Sequence, residues 1–327
     1  MYKTKLLNKK NTVGFIAIGL ICLSACIAIS SDDAEKVKEE RPLVTTVTTS
    51  PDVPSSITIF GESVDITRYN MHEGYDREIS SFTYFHSTIL LLFKRANCVF
   101  PIIEPILKAN GIPDDFKYLA VIESHLDPRA SSPARAVGTW QILEVTGRQY
   151  GLAVTPTVDE RCDVVKSTLA ACKYLKDAYN RYGSWFNVAA SYNGGMGRIS
   201  GELTKQQEES AFDLWLVQET TRYPYRIMAI KQIFENPYKY GFVLHAKDLY
   251  KPIKTKEVSV SKDIINLAEF AKEQGITYAD IKRFNPWLRD RKLNTLGKTY
   301  KILIPEAEDM YYKKANTYVH DSRWIVK

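Results

Sequence analysis

Glu123 is the residue best placed to do chemistry. It follows Phe116-Lys117-Tyr118-Leu119-Ala120-Val121-Ile122, a run that is apolar but for one lysine. A carboxyl at the end of such a run is partly desolvated, and desolvation favours its neutral form. A carboxylic acid still protonated near pH 7 can donate a proton to the bridging oxygen of a glycosidic bond. Taken alone, Glu123 reads as a surface glutamate near a helix C-terminus. It does not stand alone. Downstream come Ser124-His125-Leu126-Asp127-Pro128, then Ser131-Ser132-Pro133, and Ala136-Val137-Gly138-Thr139-Trp140-Gln141. Asp159-Glu160-Arg161, Ala190-Ser191-Tyr192-Asn193-Gly194-Gly195 and Glu219-Thr220-Thr221-Arg222-Tyr223 follow. Asp127, before a proline, is expected to end the helix. No Gly-rich phosphate loop, metal-ligand spacing or Ser/His/Asp set is present, so neither a cofactor nor a metal is expected. His72, His86, His125, His245 and His320 are scattered. His125 lies two residues from Glu123, so on a helix it faces elsewhere, as a surface or groove residue.

These residues need helices to position them. From Asp76 onward apolar residues recur at helical spacing: Ile79, Phe82, Phe85, Ile89 and Leu92/Phe93. Val99–Leu107 reads as a second helix interrupted by Pro101 and Pro105, and Asp114 or Asp115 as a cap for the helix that carries Glu123. Long amphipathic patterns cover Asp163–Tyr182, Trp185–Tyr192 and Glu219–Phe234. Nothing between 76 and 236 reads as a regular run of strands, so the region is expected to be all-α. Beyond a connector at 246–254, Lys256–Val260 alternates like a strand, Ile264–Gln274 and Ile276–Phe284 read as helices, and Tyr300–Ile304 as a second strand. That βααβ order makes a small α+β module; residues 306–327 form a tail without an assigned structure.

The ordered set ES-x-x-x-P, S-P-x-x-A-x-G-x-x-Q and Y-N-x-G resembles the soluble lytic transglycosylases, glycoside hydrolase family 23, of goose-lysozyme-like fold. The resemblance covers about residues 80–243, half of the chain. It implies that Glu123 is the catalytic acid/base and that Ser132 contacts the N-acetyl group of the N-acetylmuramic acid (MurNAc) being cleaved. It also implies that Gln141 lines the cleft, that Tyr192 and Asn193 lie near the glutamate, and that Tyr223 approaches the carboxyl from a far helix. Ordinary glycosidases use a pair of carboxylates; here only Glu123 is assigned one of these roles. The implied reaction is non-hydrolytic cleavage of the β-1,4 bond between MurNAc and N-acetylglucosamine (GlcNAc), leaving 1,6-anhydro-MurNAc ends. A lysozyme-type hydrolase and a non-catalytic wall-binding lipoprotein are the alternatives. The chain departs from the family pattern at Thr139, Val164, Gly195-Met196 and Pro224, none of which removes a proton-transfer group. The βααβ module, with Asn285-Pro286 before its last strand, resembles LysM-like repeats that hold GlcNAc chains.

The N-terminus reads as an address. Lys3–Lys10 is basic, Val13–Leu23 is an eleven-residue apolar run too short to span a bilayer as a helix, and Leu23-Ser24-Ala25-Cys26 resembles a bacterial lipobox. The expected organisation is a lipoprotein signal peptide at 1–25, a flexible linker at 26–56 anchored by lipid on Cys26, a catalytic domain at 57–245, a LysM-like module at 246–305 and a tail at 306–327. The expected partners are peptidoglycan strands and a membrane, with the protein in the envelope on the periplasmic side of an outer membrane. Formal net charge is +6, but four lysines and no acidic residue lie within residues 1–25, so the remainder is near neutral. That gives no electrostatic case for nucleic acid. Of the five cysteines, Cys162 and Cys172 are candidates to pair, with buried thiols as the alternative.

Overall fold

The computed structural model describes residues 48–312 and 317–326. The expected signal segment, Cys26 and most of the expected linker lie outside the described residues. From Ser50 onward the chain forms one unit. It opens with an antiparallel hairpin, β1 (Ser56–Ile59) and β2 (Glu62–Asp65), turning at Phe60-Gly61. Ile57 and Ile59 are buried, and Val53 packs against the same core. The end of the expected flexible linker is therefore ordered against the fold.

Two long helices follow, α1 (Tyr69–Tyr84) and α2 (His86–Ala109). α2 corrects the separate, interrupted helix expected at 99–107: Pro101 and Pro105 lie inside one continuous helix. Interior prolines cost about 3 kcal/mol or more each. The buried stripe of Ile89, Leu92, Phe93, Ala96, Phe100, Ile103 and Leu107 keeps the helix running through them.

The short helix α3 (Lys117–Ser124) carries Glu123 and follows a 3₁₀ turn at Asp114–Phe116. Tyr118, Leu119, Ala120, Val121 and Ile122 are all buried, so the helix is apolar around most of its circumference and sits in the core. Neither Asp114 nor Asp115 caps it. Asp115 instead accepts from the Phe60 amide at 2.6 Å and from Lys231 at 2.5 Å, tying hairpin to helix, while Asp114 pairs with Lys117 at 2.6 Å.

Next come α4 (Glu144–Gln149), α5 (Val164–Tyr182), α6 (Trp185–Gly194), α7 (Met196–Gln206) and α8 (Gln218–Glu235). Asp163 caps α5 by accepting from the Lys166 amide, and Ser184 caps α6 by accepting from Asn187. No membrane-spanning helix is present among the described residues.

The C-terminal module has the expected βααβ order. β3 (Thr255–Val260) pairs antiparallel with β4 (Tyr300–Pro305) around α9 (Leu267–Glu273) and α10 (Tyr278–Phe284). Its core contains Leu267, Ala271, Ile281, Trp287, Tyr300 and Ile302. Asn285 accepts from the Leu303 amide and donates to the Leu303 carbonyl, both at 2.8 Å, which joins the end of α10 to β4.

The tail returns to the main domain. Trp324 is buried against Phe93, Phe100 and Phe234. Asn97 donates to the Tyr250 and Tyr318 carbonyls at 2.9 and 3.0 Å, so α2 clasps both the connector and the tail. Cys98, Cys162 and Cys172 are free thiols. Cys162 packs against the module core and Cys172 against the main one, so the candidate pair does not form and the alternative of free thiols holds.

Candidate active site

Glu123 occupies the last turn of α3. His125 and Leu126 then both adopt left-handed backbone angles, φ 53° and 58°, which end the helix abruptly. Tyr223, in α8 and buried, donates its hydroxyl to Glu123 Oε1 at 2.5 Å. Burial lifts the Glu123 carboxyl to about 7; the Tyr223 hydrogen bond and the Arg226 charge pull the other way, and Glu219 adds slightly to the rise. Desolvation is the largest influence, so half of these carboxyls are neutral near pH 7.

The strands of the cleft loop are tied to the same helix. Ser124 donates to the Thr139 carbonyl at 2.8 Å, and Tyr192 donates to the Trp140 carbonyl at 2.6 Å. The Tyr192 hydroxyl therefore gives its proton to Trp140 and not to Glu123, while burial and the Glu123 charge both push its titration well above the ordinary tyrosine range. Gln141, with φ 48°, donates to the Ala130 and Gly138 carbonyls at 3.1 and 2.9 Å and so closes the loop 130–142. Ser132 Oγ accepts from the Ala136 amide at 3.1 Å, which fixes that hydroxyl on a half-buried turn. Asn193 points to α8 instead of Glu123: it accepts from Thr220 at 2.9 Å and donates to Glu219 at 3.3 Å.

One buried cation holds the loop in place. Arg161 pairs with Asp159 through Nε at 2.9 Å and Nη2 at 2.7 Å, and its Nη1 donates to the Arg135 and Ile142 carbonyls at 3.1 Å each. Gly138 lies directly on this strut. Its φ is +85°, and a Cβ there would meet the Arg161 carbonyl oxygen at 1.9 Å. Only glycine fits both the backbone angle and the approach.

The structure thus places Glu123 and Tyr223 in contact, Tyr192 in hydrogen-bond contact with the cleft loop, Ser132 and Gln141 in that loop, and Asn193 at the α6–α8 junction. Sequence reasoning assigned no role to Ser124, Glu219, Arg226 or the buried Glu78, which Arg222 grips at 2.7 and 3.1 Å. Glu78, Phe82, His125, Glu219, Arg222 and Arg226 line a cleft of ≈ 350 Å³. Only the adjacency of Ser124 and the Glu-Thr-Thr-Arg-Tyr run signalled any of them; Glu78 and Arg222 meet across 144 positions.

The departures from the family pattern are absorbed. Pro224 is buried and α8 runs through it. Val164 opens α5 under the Asp163 cap. Thr139 is fully buried, and its Oγ1 has no hydrogen-bond partner among the described residues.

Comparison with known proteins agrees with this architecture. Residues 100–215 match the family model described as Transglycosylase SLT domain, and residues 256–308 match Soluble lytic transglycosylase C-terminal LysM-like domain. The chain is 32% identical to Membrane-bound lytic murein transglycosylase D of Escherichia coli K12 over 205 residues, 61% of this chain and 44% of that protein. It is 30% identical to Putative tributyltin chloride resistance protein of Alteromonas sp. strain M-1 over 99 residues, 30% of this chain and 47% of that protein. The chain spans less than half the length of these curated relatives. The solved 70 kDa soluble lytic transglycosylase from Escherichia coli aligns at 20% identity and TM-score 0.36, over 43% of this chain and 24% of that one.

Breaking a buried ion pair from one side costs about 3–5 kcal/mol, because the partner charge is left unpaired. Arg161→Ala is expected to lower unfolding free energy by about that amount. Adding Asp159→Ala should recover part of the loss, since the two residues share one interaction. Denaturant titration measures both; additive losses would show that the pair does not act as a unit.

Proposed function

We propose that this chain is a lytic transglycosylase acting on peptidoglycan. The observation that carries this is a lone, desolvated carboxyl: Glu123 is bonded to Tyr223 and held near neutral pH, while neighbouring carboxylates are engaged elsewhere. Asp127 accepts from the Arg129 amide at 2.9 Å, Glu219 from Asn193 at 3.3 Å and Glu78 from Arg222 at 2.7 Å. With one acid available, the substrate must supply the second function.

The sequence of events follows. Protonated Glu123 donates to the bridging oxygen between MurNAc and GlcNAc, and the C1–O bond breaks with GlcNAc leaving as an alcohol. The acetamido oxygen of MurNAc, held by Ser132, stabilises the positive charge at C1. The Glu123 carboxylate then takes the proton from the C6 hydroxyl of the same sugar. That oxygen bonds to C1, displaces the acetamido oxygen and closes a 1,6-anhydro ring. Glu123 ends protonated, and no water is consumed. Gln141 shapes the loop that positions Ser132, and Tyr192 and Asn193 hold the walls.

The same proposal extends to the whole chain. Residues 57–245 are the catalytic domain and 246–305 hold GlcNAc chains near it, raising local substrate concentration. Acyl chains on Cys26 and the linker at 26–56 keep the enzyme at an envelope membrane, facing the periplasm, where it remodels or recycles the wall. The proposal draws support from the two family matches and the named murein relative.

Mass spectrometry of muropeptides released from purified sacculi tests the reaction. Anhydro ends, lighter by one water than reducing ends, are expected from the unmodified chain. Glu123→Gln should lower their rate of release by at least ~10²–10⁴. Reducing MurNAc ends would make the protein a lysozyme-type hydrolase.

A second prediction concerns pH. The acid must be protonated to react, so activity is expected to fall as pH rises through about 7. Tyr223 hydrogen-bonds the charged form and holds the carboxyl down. Tyr223→Phe should therefore move that alkaline limb to higher pH. A lower rate with an unmoved limb would mean that Tyr223 only packs.

A further inference from the structure

The C-terminal module is joined to the main domain by backbone, not only by side chains. The Asp159 amide donates to the Trp287 carbonyl at 2.8 Å, and the Arg289 amide to the Thr157 carbonyl at 3.0 Å. Val158 of the main domain is fully buried within the module core. At this rigid junction lies a cleft of ≈ 500 Å³. Four of its lining side chains are cationic: Arg129 from the loop after α3, Lys282 and Arg283 from α10, and Arg289 just beyond; Lys282 already donates to the Leu288 and Asp290 carbonyls, which leaves the three arginines for a ligand. Pro286 and Leu288 form its apolar floor, and none of its lining residues is acidic.

This concentration of charge is local. The described part of the chain is close to neutral, so a cleft with four cations is an exception to its surface. The neighbouring carboxylates neutralise little of it. Asp127 lies 3.4 Å from Arg129, and Asp280, buried and held by Thr277, lies 3.7 Å from Arg283; both arginines are largely exposed, so each pair is of small worth. Arg289 donates to the Thr155 carbonyl at 3.1 Å and has no carboxylate within ion-pair distance among the described residues. Guanidinium forks match carboxylates in shape as well as charge. Arg289 also borders a second cleft of ≈ 590 Å³, lined by Ser131 and Arg135 but also by the carboxylates Glu144 and Asp159, so the concentration of cations is confined to the junction.

We propose that this junction cleft binds the carboxylates of the acidic peptides that hang from MurNAc, so that the protein selects peptide-bearing strands over bare glycan. This rests on peptidoglycan as the substrate. The cleft is built before the ligand arrives, because the backbone bonds at 157–159 fix the Arg289 loop against the main domain.

The test is a co-sedimentation assay with the full chain in its Glu123→Gln form, which leaves the wall material uncut. Two materials are compared: intact sacculi, and sacculi whose peptide carboxyls have been converted to amides, which keeps the cross-linked mesh that makes both materials sediment. The unmodified cleft should bind intact sacculi about tenfold more tightly, and the preference should shrink with added salt. Arg283→Glu from the module side and Arg129→Glu from the opposite side should each abolish the preference. Two variants on different elements separate the effect from misfolding of either one. Equal binding to both materials, or a preference that survives both reversals, would overturn the proposal. So would displacement from sacculi by duplex DNA but not by a short glutamate peptide. Product analysis of the same sacculi with the unmodified chain reads the reaction separately. Anhydro ends without peptide preference would sink the cleft alone, and peptide preference without anhydro ends the reaction alone.

Discussion

A carboxylate is expensive to remove from water, and α3 leaves Glu123 little water to keep. The helix is buried from Tyr118 to Ile122, so a charge on Glu123 at its end comes at a cost. Tyr223 offsets part of that cost with one short hydrogen bond from α8. The balance holds the acid close to the point where it can both give and take a proton. A more exposed glutamate would stay ionised, and a fully enclosed one would never release its proton. For the proposed reaction the surrounding fold has two tasks: keep α3 dry, and bring a substrate to its last turn.

The second task falls to the loop 130–142, which has little regular structure of its own. Ser124 and Tyr192 hold its carbonyls at Thr139 and Trp140, and Arg161 holds those at Arg135 and Ile142. The Arg161 strut is continuous with the segment 157–159 that enters the C-terminal module. The module thus braces the strut that positions the loop 130–142. Binding of a glycan strand or its peptides to the module would act on a rigid body that includes the cleft wall.

Much of this was legible in the order of residues. The Glu-Ser pair, the Ser-Pro and Gly-Thr-Trp-Gln spacings and the Tyr-Asn pair locate the acid and its facing loop, because those functions depend on local turns. The βααβ module was legible from alternation and turn residues. What was not legible depends on contacts between distant segments. Pro101 and Pro105 argue locally for an interrupted helix, yet the apolar stripe of α2 overrides them. Asp114 and Asp115 look like caps but bind Lys117, Phe60 and Lys231 instead. The tail carries no period, and only Trp324 meeting Phe93, Phe100 and Phe234 explains its course. Glu78 looks like any surface glutamate until Arg222 is brought to it from α8. Asn193 belongs to a recognisable pair, but its partners on α8 lie beyond the motif.

The central claim is that burial lifts Glu123 until a large share of it is protonated near neutral pH. Titration of ¹³C-labelled glutamate carboxyls by NMR measures this directly, with Glu123→Gln identifying the resonance. A midpoint near 7 is the expected result. A midpoint near the ordinary 4.5 would show a solvated carboxylate, and Glu123 would then not serve as the general acid.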